Sequence, residues 1–241
     1  MATWIVHLRV AEALLARIPG LDESAFAVGN IAPDSGIPDE KWENFTPPPE
    51  VTHFQNPASK RRDLADLDFY RRYLQPLRGA PPDPFRFAFR LGYYCHLVTD
   101  NLWSEDVGRP TKVRFTSQFA ADSSFIWKVK EDWYGLDFIY VRDHPESLFW
   151  RVFLSCQAGA PDLDFLPVEA LRQRIAYIQE FYQKQDEEVQ SAYRRPYIYL
   201  SPLEMDRFVI NAADRFMAAY QHYWIDGAEP IGASAVLNGC D

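Results

Sequence analysis

Five residues carry the chemistry that this sequence offers: His7, Asp34, His53, His96 and Asp100. The tightest pairing among them is His96 with Asp100. Four residues apart, they fall on one face of a helix, one turn from each other, if the run from Pro84 to Trp103 is helical. That run is apolar around nearly its whole circumference, which predicts a core helix rather than a surface one. Gly92, one turn before His96, would let another segment or a ligand come close. An imidazole and a carboxylate inside such a helix need partners, because an unpaired buried charge costs far more than a buried apolar group. Two readings supply them. One is a hydrogen-bonded His–Asp pair that bolts two helices together; the other is a metal site projecting from a core helix, as helix bundles build them.

The elements that must position these residues follow from periodicity. Residues 4–18 place Trp4, Ile5, Leu8, Ala11, Leu14, Leu15 and Ile18 at helical spacing, with His7 near the apolar stripe and Pro19-Gly20 as the stop. A second helix over 22–31, capped by Asp22 or Ser24, leads into Ala32-Pro33-Asp34, where Pro33 puts Asp34 on a turn just past the helix end. From 35 to 62 the prolines break any regular pattern, yet Trp42, Phe45, Val51 and Phe54 are too apolar for a free linker; an ordered loop wrapped on the body is expected, with His53 in it. Further helices are predicted over 63–77 with Asp63 as cap and Asp66 on the polar face, over 116–134, 146–156 and 167–193, and over 201–226. The last opens on Ser201-Pro202-Leu203-Glu204, a capping sequence with proline at the first position. His144 in Asp143-His144-Pro145 reads as a capping turn, and the pair His222 and Asp226 as a helix terminus.

Strand-like alternation is nearly absent, so the fold class expected is all-α, with seven to nine helices. One all-α domain over 1–226 and a loose C-terminal tail over 227–241 are predicted. With 17 Phe, 13 Tyr and 7 Trp the core is bulky. The formal charge of −9 disfavours adhesion to duplex nucleic acid or to anionic lipid. The N-terminus lacks a secretory pattern and no apolar run approaches a membrane span, so no integral membrane association and a cytoplasmic location are expected. Three widely spaced cysteines without a CxxC argue against a disulfide framework or a cysteine zinc knuckle.

Taken in order, the motifs are more specific than they are singly. A His in the first helix, then Gly29-Asn30-Ile31-Ala32-Pro33-Asp34, then Thr52-His53-Phe54, then Gly92-Tyr93-Tyr94-Cys95-His96-Leu97-Val98-Thr99-Asp100, resembles the zinc-dependent phospholipase C family, whose fold is shared with single-strand-specific nucleases. The resemblance covers about residues 1–105 and is nearest to a cytoplasmic bacterial branch. It implies a multi-helix bundle in which clustered metal ions activate a water against a phosphodiester. It implies metal-ligand roles for His53, His96 and Asp100, with Asp100 bridging two ions, for Asp34 as a ligand and general base, and for His7 at the second ion. Zinc suits such ligands, as would iron, manganese or nickel.

The sequence also departs from the family. Family enzymes place a processed N-terminal amine on the metal; here removal of Met1 would expose Ala2. The family's remaining ion uses later histidines that are missing, and Asp106 stands where the first of them is expected. Asp132 and Asp137 are the candidate substitutes, against helix-surface carboxylates as the plain alternative. One or two ions are therefore expected. A metal-dependent phosphoric ester hydrolase acting on a small phosphorylated substrate or a phospholipid headgroup is the leading expectation. The alternative is a non-catalytic module with a structural metal that binds a partner. A His-Asp dipeptide phosphohydrolase is set aside because no such dipeptide occurs.

Overall fold

The computed structural model describes residues 1–41, 43–56, 63–159, 161 and 163–237. The fold is all-α apart from one two-stranded antiparallel ribbon. In chain order it runs α1 (Trp4–Leu15), α2 (Glu23–Ile31), β1 (Ile37–Pro38), β2 (Phe45–Thr46), α3 (Pro49–Thr52), α4 (Asp66–Phe69), α5 (Pro84–Trp103), α6 (Arg109–Arg114), α7 (Thr116–Ala121), α8 (Phe125–Asp143), α9 (Leu148–Arg151), α10 (Val168–Phe181), α11 (Glu187–Ala192) and α12 (Pro202–Ala219). These are more and shorter helices than expected. Trp42, expected among the apolar anchors of the loop, lies outside the described residues.

Local chemistry explains where the helices start and stop. Asp22 caps α2 by accepting from Ala25 N at 2.8 Å, Asp83 caps α5 at Arg86 N, and Ser201 with Glu204 forms the capping box of α12. The expected helix over 116–134 is split because Asp122 takes both the N–H and the hydroxyl of Ser124, forming a turn that starts α8 anew and lets it run on to Asp143. The expected helix over 167–193 divides likewise at Asp186, which caps α11. In the 146–156 region the Phe153 and Cys156 carbonyls accept from the Gln179 side chain, and only short α9 and a 3₁₀ turn form. Asp63 is not a cap; it pairs with Arg109 at 2.6 Å, and Pro76 turns the end of its segment into a 3₁₀ helix.

Asp66 is buried rather than on a polar face, and the C-terminal segment is docked on it through Leu237. Asp66 accepts from Asn101 Nδ2 at 2.7 Å, from Ser234 Oγ at 2.5 Å and from Ala235 N at 2.9 Å, while Leu67 N donates to Ala233 and Arg215 to Val236. Burial pushes the Asp66 carboxyl up to about 6, against the pull of these bonds.

The core is one continuous apolar cluster with α5 through its middle, where every residue from Leu91 to Trp103 is buried. α2 crosses α5 with backbone against backbone. A Cβ on Gly92 would collide with the Phe26 carbonyl, and one on Gly29 with the Phe89 carbonyl. Among the described residues no helix is long and apolar enough to cross a membrane.

Gly92→Ala is expected to lower the unfolding free energy by about 3 kcal/mol, the upper range for overpacking a closed site. Gly79→Ala, which meets nothing, should leave it within about 0.5 kcal/mol. Urea melts of both proteins check the difference.

Candidate metal centre

The α2–α5 crossing sets up the histidines. Because the helices touch, the Asn30 carbonyl at the end of α2 lies 2.8 Å from His96 Nδ1. A carbonyl can only accept, so Nδ1 carries a proton, which leaves Nε2 as the ring nitrogen that can ligate. The Asn30 side chain reaches the other way and donates to the His7 carbonyl at 3.0 Å, tying α1 into the same crossing. The His7 and His96 rings stack with centroids 3.8 Å apart and planes within 5°.

His53 arrives from the loop. α3 is one turn long, and Phe54 after it is held at φ 51°, a region that residues with a side chain enter uncommonly. The Phe54 ring is edge-on to Phe69, Tyr73 and Phe165. Helix α5 supplies the other fastenings: the Tyr93 hydroxyl donates to the Thr52 carbonyl, and the Asn101 amide pairs with both backbone groups of Leu64 at 2.9 Å. Tyr93 and Trp103 are buried in the core.

Together these elements converge five side chains. His96 Nε2 lies 3.3 Å from His53 Nε2 and 3.4 Å from Asp100 Oδ2. His53 Nε2 is 3.2 Å from Asp34 Oδ1, and His7 Nε2 is 3.4 Å from Asp100 Oδ1. Two groups of three ligand atoms result, His7 with His96 and Asp100, and Asp34 with His53 and His96, each within 4.8 Å of one another. Asp100 turns one oxygen toward His7 and the other toward His96 and His53. Its Oδ1 also accepts the Ala2 backbone N–H at 2.7 Å, so the residue that follows Met1 does reach the site.

The bonding is incomplete in a way that suits a cation. Both His7 ring nitrogens and Asp100 Oδ2 are buried without a hydrogen bond, and His53 and His96 aim two nitrogens at each other. Orphaned buried polar atoms of this kind call for a missing partner. Burial, with His96 beside it, pushes His7 down to about 4, which keeps that ring neutral and able to ligate. Burial would raise Asp34 and Asp100, but the imidazoles around them, and for Asp100 the N-terminal charge, hold both carboxyls below the usual range. Burial alone would lower His96, and the charge of Asp100 more than reverses it. Imidazole and carboxylate donors of these types fit zinc, and because His96 has a single free nitrogen, Nε2, it can serve only one of the two groups at a time.

Asp106, Asp132 and Asp137 join neither group. Asp106 lies near the surface against Asn211 at 2.9 Å and Arg215 at 3.5 Å. Asp132 is buried and accepts the Ile198 and Tyr199 N–H groups, clamping the loop before α12 to α8. Asp137, also buried, accepts from Thr3 Oγ1 at 2.8 Å and from the Tyr182 hydroxyl at 2.6 Å. Their oxygens are occupied in holding segments together. His144 lies on the surface with Nδ1 at the Tyr140 carbonyl, and His222 is exposed in the turn after α12.

Asp34 and His53 form part of the floor of a cavity of about 430 Å³. Its walls include Trp4, Phe45, Trp127, Trp133, Tyr134 and Phe181, with Lys130 and Arg174 as its cations. Sequence reasoning passes over these two. A signal existed for Arg174, which sits three residues after Leu171 and four before Ile178, on the stripe of α10 that faces the core.

Burial lifts the Asp137 carboxyl to about 7, despite its bonds to Tyr182 and Thr3. A carboxyl whose folded pKa exceeds its unfolded one stabilises the fold while protonated and loses that contribution as pH rises from about 4 to 7. In metal-free protein the Asp137 contribution should therefore fall by about 2 to 3 kcal/mol between pH 5 and pH 8; it is read as the change with pH in the stability difference between wild type and Asp137→Asn, because His7, pushed down to about 4, works in the opposite direction over the same range. Denaturant titrations at the two pH values test it. Searched against protein-family models, curated proteins and solved structures, the chain finds no match in any of the three.

Proposed function

We propose that this protein is a metal-dependent hydrolase of phosphoric esters, built and working in the manner of the zinc-dependent phospholipase C family. The observation that carries the proposal is the pair of overlapping ligand groups that share His96, with one Asp100 oxygen offered to each. His7, His53, His96, Asp34 and Asp100 would hold one or two zinc ions. Bound there, such ions acidify a water, neutralise phosphoryl oxygens and clamp an in-line displacement.

The side chains have distinct tasks in this reading. Asp34 is held ionised beside His53 and faces the cavity, so it accepts the proton of the attacking water at a carboxylate oxygen. Asn30 keeps His96 in the tautomer that leaves Nε2 free. Trp4, Trp133 and Tyr134 exclude bulk water from the reacting ester and strengthen every charge interaction at the floor. The substrate is a small phosphodiester or a phospholipid headgroup, taken from solution through the open side of the cavity. A purely structural ion fits less well, because structural sites are closed and this one opens onto a cavity of about 430 Å³.

Protein purified without chelator or metal resin should carry about one to two equivalents of zinc, iron or manganese and cleave a chromogenic aryl phosphodiester. Asp100→Asn should lose the metal and most of the rate. Asp34→Asn should lower kcat by about 10²-fold or more, beyond any fall in metal content. Elemental analysis and kinetics on the same samples decide it: no metal and no hydrolysis after loading with zinc would sink the proposal.

A further inference from the structure

Arg174 is a buried cation without a counterion among the described residues. It is 8 % exposed, and among the described residues no carboxylate lies within ion-pair distance of it. One guanidinium nitrogen, Nη2, donates to the Gly36 carbonyl at 3.1 Å, while Nε has no hydrogen-bond partner. The group sits beside the faces of Trp4 and Tyr177, 5.5 and 5.7 Å from their ring centroids. Cation–π contact offsets only part of the cost of burying a charge. Lys130, on α8, is the other cation of the same cavity. Its ammonium lies 4.8 Å from the Trp127 ring centroid and has no carboxylate partner among the described residues. Burial lowers the Lys130 pKa, and the fields of Asp34 and Asp100 oppose that fall.

Two cations that have no carboxylate partner among the described residues line one aromatic-walled cavity, on a chain of net charge −9, and mark a place kept for an anion. The floor of the cavity already provides for the scissile phosphate through the ligand groups at Asp34 and His53. We infer that Arg174 and Lys130 form a second anion subsite in the cavity wall, so that the substrate carries a further phosphate or carboxylate besides the ester it presents to the metal. This inference rests on the proposed hydrolytic reading for the floor but not for the wall. Trp4, Trp133 and Phe181 line the same cavity, so the portion of the substrate joining the two anions is apolar.

The test compares phenyl phosphate with its para-carboxyl and para-phosphoryl derivatives, following quenching of the cavity tryptophans in zinc-loaded protein. Either doubly anionic probe should bind at least about tenfold more tightly than phenyl phosphate, and the better of the two identifies the second anion. Arg174→Gln keeps a donor for the Gly36 carbonyl, and Lys130→Gln changes a half-exposed residue; each should bring the ratio close to one. Equal affinities in the wild type, or a ratio that survives both substitutions, would overturn the subsite. Benzoate binding to metal-free protein separates this proposal from the hydrolytic one. If zinc does not bind at all, benzoate should still bind and lose affinity in Arg174→Gln; its failure to bind metal-free wild-type protein would count against the subsite alone.

Discussion

The contact on which the site depends is the closure of α2 onto α5 at Gly29 and Gly92. With no side chain at either position, the two backbones touch, and the Asn30 carbonyl comes within 2.8 Å of His96 Nδ1. The same approach lets the Asn30 amide hold the His7 carbonyl, so a single crossing orients two of the three imidazoles and the helix that carries the third residue of their group. A wider crossing would leave His96 free to choose its tautomer. Small residues at helix contacts usually serve packing; here the packing decides which nitrogen is available for chemistry.

Around that crossing the molecule accepts a concentration of polar groups that an apolar core would avoid. Three imidazoles and two carboxylates lie within a few ångströms, and several of their atoms have no hydrogen bond. Opposite charges hold both carboxylates ionised, and burial keeps His7 neutral. In a medium of low dielectric these interactions are strong, and so is the penalty for atoms left unpaired. A divalent cation would satisfy the unpaired atoms and the crowded imidazoles together. The cavity repeats the pattern with the sign reversed: Arg174 is buried in the same cavity as Asp34 and, among the described residues, has no carboxylate within ion-pair distance.

Other buried carboxylates do different work. Asp66, Asp132 and Asp137 each accept several hydrogen bonds from distant segments, drawing in the C-terminal segment, the loop before α12 and the N-terminal residues respectively. Asp137 matters for the site at one remove, since it holds Thr3, next to the Ala2 N–H that meets Asp100. Residue type and burial are therefore insufficient to separate ligands from anchors. The distinction lies in whether the oxygens are already occupied.

Much was legible in the chain itself. The apolar circumference of 84–103 reports a core helix, the spacing of His96 and Asp100 puts them on one face, and Asp22 and Ser201 with Glu204 announce helix starts, because helical geometry and capping act within four residues. The helix breaks at Asp122 and Asp186 were also local, yet the apolar pattern continues through them and masks the turn. What lay beyond reading was every contact between remote parts: Ala2 to Asp100 across 98 residues, Thr3 to Asp137 across 134, the docking of Ser234 on Asp66, and the meeting of Lys130 and Arg174 in one cavity. A side chain's chemistry is written in its type and its local helix face. Its partner is chosen by how whole helices close on one another, and no spacing along the chain encodes that.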